Sequence, residues 1–478
     1  MQLALHIGDY APATVAILTS TGTLSGTFNP TITYTGAFHL SGATLSYDTL
    51  GPNQVDLSYQ QTYVTLQVPS NATDNQQQVG NAINNYILAG NTPPVAFQNL
   101  SGLSGPSLLN TLTQLDGEAA TGAQKASFQL MNDFLDLMLD PTAGGGGNIS
   151  GGGANGFAPE QDMSLPSDVA LAYAKALKQP ASQPSRASVA GNTFDQRWGA
   201  WGSAFGGASH TDGDAVTGSN DVTASDYGFA AGMDYHVTPD TVYGFGVAGG
   251  GTNWNLAQGL GNGRSDAFQA GVYAKTHAGQ FYLSGALAFA NHWFTTTRTA
   301  AFGDQLQANF TGQSYAVRGE AGYRFSVPNI GTQKTGMIVG VTPYAALQVQ
   351  DFHTPSYSET DLTGGGFGLS YASMNATDTR SELGARFDNL QVVYGVSLVL
   401  RGRLAWAHDW MSGASLGAAF QALPGSAFTV SGAAQPRNSA LTTAAAELHM
   451  TSNWTAIAKF DGEFASGAQT YGGTGTLK

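Results

Sequence analysis

From residue 195 onward, apolar and polar positions alternate with a period of two, the signature of strands that face two different environments. In residues 314–325 one face carries Tyr315, Val317, Gly319, Ala321, Tyr323 and Phe325. The other carries Ala316, Arg318, Glu320, Gly322 and Arg324. Residues 280–293 set Phe281, Leu283, Leu287, Phe289 and Trp293 against Ser284, Ala286, Ala288, Ala290 and His292. Leu398, Leu400, Leu404 and Trp406 oppose Arg401, Arg403 and Asp409; Tyr227, Phe229, Met233 and Tyr235 oppose Asp234 and His236; Phe460 and Phe464 oppose Lys459, Asp461 and Glu463. The polar face holds charges of both signs in mid-strand, with Arg dominant and Gly and Ala between them. A soluble sandwich would expose that face and load it with Lys and Glu. Aromatic residues gather toward the strand ends (Trp198, Trp201, Tyr243, Trp254, Tyr273, Trp293, Tyr323, Trp406, Trp454), as interfacial girdles do. Short connections such as 238–240 and 277–279 trade places with long polar ones at 208–224, 295–312 and 352–366. The expectation is an all-β, antiparallel outer-membrane barrel, and residues 195–478 suffice for about twelve strands around a narrow lumen.

Upstream the pattern differs. Residues 1–69 hold short strand-like runs at 14–19, 31–34, 43–47 and 63–68, separated by turn signals at Gly22, Gly26, Asn29-Pro30, Gly42 and 51–53. They suit the end of a stacked β-structure or a small sandwich. Residues 71–140 read as helical, with Val79, Ile83, Tyr86 and Ile87 at three- and four-residue spacing. A second stripe comprises Phe128, Met131, Phe134, Leu135 and Met138 before Pro141. Such a stripe is ordinary packing. Gly144 to Gly153 is a glycine-rich linker within residues 70–165. In residues 166–194 a second helix is expected over 166–178, with Pro166 and Asp168 at its start and Lys175 and Lys178 at its end. Its Ala170, Ala172, Ala174 and Ala176 make it narrow enough to fill the lumen.

Composition sharpens this. The chain has 478 residues, of which only 10% are charged and 63 are glycine, and no apolar run is long enough for a membrane-spanning helix. A barrel is the remaining way to satisfy a backbone in lipid. The net charge of −14 argues against a nucleic-acid partner, and the absence of Cys excludes disulfides and thiol chemistry. No basic residue precedes Lys125 and no apolar leader follows Met1, so an export signal is expected upstream.

Enzyme motifs fail in context. The G-x-G-x-x-G at 244–249 lies inside a strand with no helix after it, so no phosphate cradle forms. The G-x-S-x-G at 413–417 lacks the strand–turn–helix elbow, and the adjacent His408 and Asp409 point to opposite faces. Asp212, Asp214, Asn220 and Asp221 miss the EF-hand spacing and read as a solvated acidic loop. The nine His residues show no paired ligand spacing, so neither metal nor cofactor is expected. The inward charges expected on the lumen wall are Arg318, Glu320, Arg324, Arg380, Glu382 and Arg386, with Asp388, Arg401, Arg403, Lys459, Asp461 and Glu463. They are expected to pair with one another or with the pore helix, without a catalytic role.

Several stretches resemble the translocator domain of classical monomeric autotransporters of Gram-negative bacteria, type V secretion. These are 197–206 (RWGAWGSAFG), 381–387 (SELGARF), 404–409 (LAWAHD), and 459–464 (KFDGEF) with 472–478 (GGTGTLK) as the closing hairpin. Residues 16–19 (AILT) and 22–28 (GTLSGTF) are similar to the end of that family's passenger β-helix. The resemblance implies a twelve-stranded barrel at 195–478, a helix held in its pore, and an N-terminal passenger carried to the cell surface. It implies contact with outer-membrane lipid and lipopolysaccharide, insertion by the barrel assembly machinery, periplasmic chaperones, and a monomer. The family's last strand ends in an aromatic residue, whereas this chain stops at Lys478, a few residues short on that pattern. Some members cut their passenger inside the barrel at an asparagine, for which Asn192 is the candidate here. The alternatives are an outer-membrane pore or adhesin acting through its loops, and a soluble β-rich enzyme.

Overall fold

The structure is a computed structural model that describes residues 2–35, 38–139, 197–328, 338–393, 396–411, 415–451 and 454–478. Twelve long strands follow the period-two pattern: β1 (Trp198–Thr211), β2 (Val222–Thr238), β3 (Thr241–Leu256), β4 (Asn262–Ala278), β5 (Phe281–Thr299) and β6 (Gln305–Tyr323). β7 (Ile338–Thr354), β8 (Met374–Val393), β9 (Val396–Met411), β10 (Asn438–His449), β11 (Thr455–Ala465) and β12 (Ala468–Leu477) complete them. Each pairs antiparallel with its neighbours in sequence, and β12 pairs with β1 from Leu477 opposite Gly202 to Ala468 opposite Thr211. The sheet therefore closes with no free edge, as lipid requires.

A strand needs about 9–11 residues to cross the membrane, so the 19 residues of β5 and β6 and the 20 of β8 project beyond it. They project at the long-loop end. The connection expected at 295–312 is thus largely continued strand, whereas the one at 208–224 keeps a loop over 212–221 between β1 and β2. Residues 300–304 make a tight turn in which Phe302 takes a positive φ of 58° and Gly303 one of 83°.

That projecting end carries a cap. Loop segments Tyr357–Ser358, Leu369–Tyr371, Ser415–Phe420 and Ala427–Ser431 form a four-stranded antiparallel sheet. Helices α1 (Asp74–Leu88) and α2 (Gly105–Leu115) pack against it. Thr73 starts α1 with a reciprocal capping box to Gln76, and Ser104 starts α2. The expected stripe of Val79, Ile83 and Ile87 is buried in one core with Phe97, Leu112 and Leu115, against Phe294 and Phe352 of the barrel and Phe367 and Phe420 of the capping loops. The Phe97 ring meets Phe367 at 4.9 Å and Phe420 at 5.0 Å between centroids. The N-terminal strands sit on this cap. Ala13–Thr19, Gln54–Tyr59 and Thr44–Tyr47 form an antiparallel sheet, while Gln2–Ala4 pairs parallel with Thr33–Thr35.

The barrel's outer face is apolar, with Phe229, Tyr243, Leu287, Trp293, Leu404 and Trp406 exposed. Three aromatic residues expected in the girdles point inward instead. Trp201 donates its indole N–H to the Tyr273 hydroxyl at 2.9 Å, and Trp254 donates to the Ala119 carbonyl at 2.9 Å. All three lie on the inward phase of their strands, and each polar atom finds a partner inside the protein.

The lumen helix and its charged wall

Helix α3 (Gly122–Leu139) runs from the cap into the barrel. Its buried stripe of Met131, Phe134, Leu135 and Met138 packs against Ala230, Ala248, Ala267, Ala286, Ala288 and Ala290 on the wall. Narrowness is supplied by the wall, so the helix itself is bulky. The helix expected over 166–178, the linker at 144–153 and Asn192 lie outside the described residues. The segment seen inside the barrel belongs to the stretch read from sequence as a helical junction. Two glycines admit the bulk: a Cβ on Gly122 would lie 2.2 Å from the Trp254 ring, and one on Gly271 would lie 2.7 Å from Met138.

α3 lies against β2–β7, and its opposite face is polar. Asn132 Oδ1 accepts from the side-chain amides of Gln348 at 2.6 Å and Gln350 at 2.5 Å. Gln129 donates to Asp226 and accepts from the Ser209 hydroxyl at 2.8 Å. Asp136 reaches Lys459 at 3.7 Å and Arg403 at 3.8 Å, the ion pairs that tie helix to wall.

The expected inward charges sort into groups. Arg318 grips Glu382 at 2.6 and 3.0 Å and reaches Glu320 at 3.1 Å, and Arg386 donates to both Glu320 oxygens at 2.9 Å. Tyr282 and Tyr344 donate to Glu320 and Glu382 at 2.7 and 3.2 Å. Arg324 holds Asp388 at 2.7 Å, near the short-turn end. Arg380 bridges Asp409, at 2.7 Å, and Glu463. Arg403 takes the Thr443 hydroxyl at 3.0 Å and Asp461 at 3.5 Å, and Lys459 takes Asp461 at 2.7 Å. Arg401 pairs with Glu447 at 2.7 Å. Glu447, Asp136 and Asn132 went unread in the sequence. Glu447 shares the strand phase of Thr443 and was legible by alternation, whereas Asp136 and Asn132 needed the position of α3. Buried pairs of this kind add little net stability, because desolvation offsets attraction, yet removing one partner is costly. Their effect is a polar wall whose charges are already spoken for.

A second charged cluster joins cap to barrel. Arg298, on the projecting end of β5, donates to both Glu359 oxygens at 2.7 Å and to the Gln114 carbonyl of α2 at 2.9 Å. The Tyr371 hydroxyl and Leu369 N–H also serve Glu359, at 2.9 and 2.8 Å. Next to it, Glu118 accepts from the Asn220 backbone and side chain at 2.9 and 2.6 Å. Burial pushes the Glu118 carboxyl up to about 7, and burial with the Glu118 charge raises that of Asp116.

The glycine motif at 244–249 lies within β3, and a Cβ on Gly244 would strike the Tyr273 ring at 2.2 Å, which accounts for that glycine by packing. Asp214 and Asp221 are spent on their own loop, accepting from the N–H groups of Val216, Thr217 and Gly213. In the 413–417 motif, residues 413–414 lie outside the described residues, and Ser415 opens a cap strand.

A family model described as the autotransporter beta-domain matches residues 200–461. Two curated proteins, each an extracellular serine protease of Serratia marcescens, are 26% and 27% identical over 217 residues, or 44% of this chain. The match spans 19% of each relative's length. Among solved structures, the translocator domain of the autotransporter NalP from Neisseria meningitidis superposes with a TM-score of 0.46 at 13% identity, covering 60% of this chain and 89% of that one. The beta domain of the Bordetella autotransporter BrkA gives 0.42 at 15% identity, covering 59% and 100%.

Proposed function

This chain belongs to the autotransporter family through its β-domain, and on that premise we propose how its parts divide the work of carrying an N-terminal passenger through an outer membrane. Residues 1–69 are the end of the passenger, 70–139 a junction that ends as the lumen helix, and 195–478 the translocator. One observation carries this reading. The N-terminal strands and α1 and α2 sit at the long-loop end, β1 begins at the opposite end with Trp198, and α3 lies in the lumen between them. A chain threaded in that order has its N-terminal part outside and its first strand starting inside, which is the outcome of export.

The wall charges act as a paired, hydrophilic lining, and no catalytic step is assigned to them. Asn132 stands in mid-helix with its side-chain oxygen held by Gln348 and Gln350, which ties the helix to β7. Lipopolysaccharide contact, delivery by periplasmic chaperones and insertion by the assembly machinery follow from the same reading. The open-pore alternative is disfavoured by the aromatic core that fills the outer mouth.

The absence of native cysteine makes the test direct. Leu50→Cys, on the exposed N-terminal block, is expected to react with a membrane-impermeant maleimide in intact cells, while Asp240→Cys, in the turn between β2 and β3, reacts only after the outer membrane is permeabilised. The reverse pattern, or no labelling at Leu50→Cys in a folded protein, would overturn the reading.

A further inference from the structure

We propose that the outer part of the lumen holds one small organic cation, of the alkylammonium or guanidinium type, in the cleft between α3 and strands β8, β9 and β11. Because α3 leans on β2–β7, a cavity of about 120 Å³ remains on its far side. Asp378, Arg380, Asp409 and Glu463 line it. Three carboxylates there share one guanidinium. Arg380 spends Nε and Nη2 on Asp409 at 2.7 and 3.1 Å, and uses Nη1 and Nη2 on Glu463, with the Nη1 contact at 3.3 Å. The Ser439 hydroxyl adds 2.7 Å to Glu463.

Asp378 is left over. It is 5% exposed, and its Oδ1 has no hydrogen-bond partner among the described residues. A buried carboxylate oxygen without a donor is costly and calls for explanation. The neighbouring cations are committed elsewhere: Arg403 and Lys459 to Asp461 and Asp136, and Lys125, which also faces the cleft, to the Thr211 hydroxyl. A ligand bearing N–H donors and positive charge would supply what Asp378 lacks and offset the surplus on Asp409 and Glu463. Among the described residues no three acidic or His side chains converge as metal ligands, which favours an organic cation over a divalent metal. Size bounds it: a cavity of about 150 Å³ admits benzene, so this one suits a cation of about four to six heavy atoms.

The test titrates 1,4-diaminobutane into the full chain in detergent micelles at fixed ionic strength, followed by calorimetry, with 1,4-butanediol as the uncharged match. Folding of each sample is read beforehand from its altered gel migration when unboiled. Saturable one-to-one binding of the diamine and none of the diol is expected. Asp378→Asn and Glu463→Gln should each weaken the diamine at least tenfold. Glu463 is partly exposed, so Glu463→Gln decides the matter alone if Asp378→Asn does not fold. Absence of saturable heat from folded protein, equal heat from the diol, or undiminished affinity in the folded variants would overturn the proposal. None of these results bears on surface labelling at Leu50→Cys, so the export reading stands or falls separately.

Discussion

Replacing Arg298 by methionine strips Glu359 of its guanidinium while filling similar volume. The pair is buried, with both side chains 3% exposed, and its two 2.7 Å contacts are bidentate. Removing one partner of such a pair costs about 3–5 kcal/mol, because the other is left charged and desolvated. Two donors remain on Glu359, the Tyr371 hydroxyl and the Leu369 N–H, which places the expected cost at the lower end, about 3 kcal/mol. The cost falls on docking of the cap, since Arg298 also holds the Gln114 carbonyl at the end of α2. At about 1.4 kcal/mol per tenfold, amide hydrogen exchange in α2 should speed up by about two orders of magnitude. Exchange in β10–β12, which lie away from Arg298, should not change. The double variant Arg298→Met/Glu359→Gln removes the stranded charge and should recover most of the loss. Unchanged exchange in α2, or a double variant as loose as the single one, would refute the assignment of Arg298 as the tie between junction and barrel.

Two further outcomes follow from neighbouring groups. Burial raises the Glu118 carboxyl from its ordinary 4.5 to about 7, so the docked cap binds a proton that the undocked segment releases. The stabilisation is full below about pH 4.5 and is lost as pH rises through about 7, a span of about 3 kcal/mol; exchange in the 118–121 turn, corrected for intrinsic rate, should therefore be slower at pH 5 than at pH 8, and Glu118→Gln should flatten the profile. Gly122→Ala would drive a Cβ to 2.2 Å from the Trp254 ring, which cannot yield without breaking its bond to the Ala119 carbonyl. A cost of about 1–3 kcal/mol is expected at the start of α3, read as faster protease cleavage there with the barrel's heat-modifiable migration retained.

The barrel was legible in the sequence because its two environments impose a period of two on every strand. Phe229 against Asp234, and Leu404 against Arg403, are sorted by that rule alone. It failed at Trp201, Trp254 and Tyr273, where residue type was read as lipid-facing although strand phase puts them inside. The cap sheet was hidden for a different reason. Its strands are two to six residues long and pair Tyr357 with Tyr371 and Tyr371 with Ala418, across connections no local pattern specifies. For the lumen helix, small residues were sought on the helix over 166–178. That segment lies outside the described residues; against α3 the small residues line the wall, and strand alternation alone gives Ala286, Ala288 and Ala290 no partner to pack against.

That placement bears on how one lumen serves both passage and rest. Wall charges that are already paired, such as Arg318 with Glu382 and Arg324 with Asp388, offer a passing segment polar surface with little vacant charge outside the Asp378 cleft. The apolar contact is confined to the alanine-lined half and is matched to bulky side chains at helical spacing, a condition met by Met131, Phe134, Leu135 and Met138. Polar contacts of α3 include Gln129 to Asp226 and Ser209, Lys125 to Thr211, Asn132 to two glutamines, and Asp136 to Arg403 and Lys459. Desolvation offsets much of what these buried polar contacts gain, so shape and apolar burial are what hold the helix in the lumen. What fixes the register along the barrel is the cap, where Trp254 takes the Ala119 carbonyl and Arg298 takes the Gln114 carbonyl immediately before α3 begins. On the export reading proposed above, the resting position is thereby set by residues that meet only after the segment ahead of α3 has cleared the outer mouth.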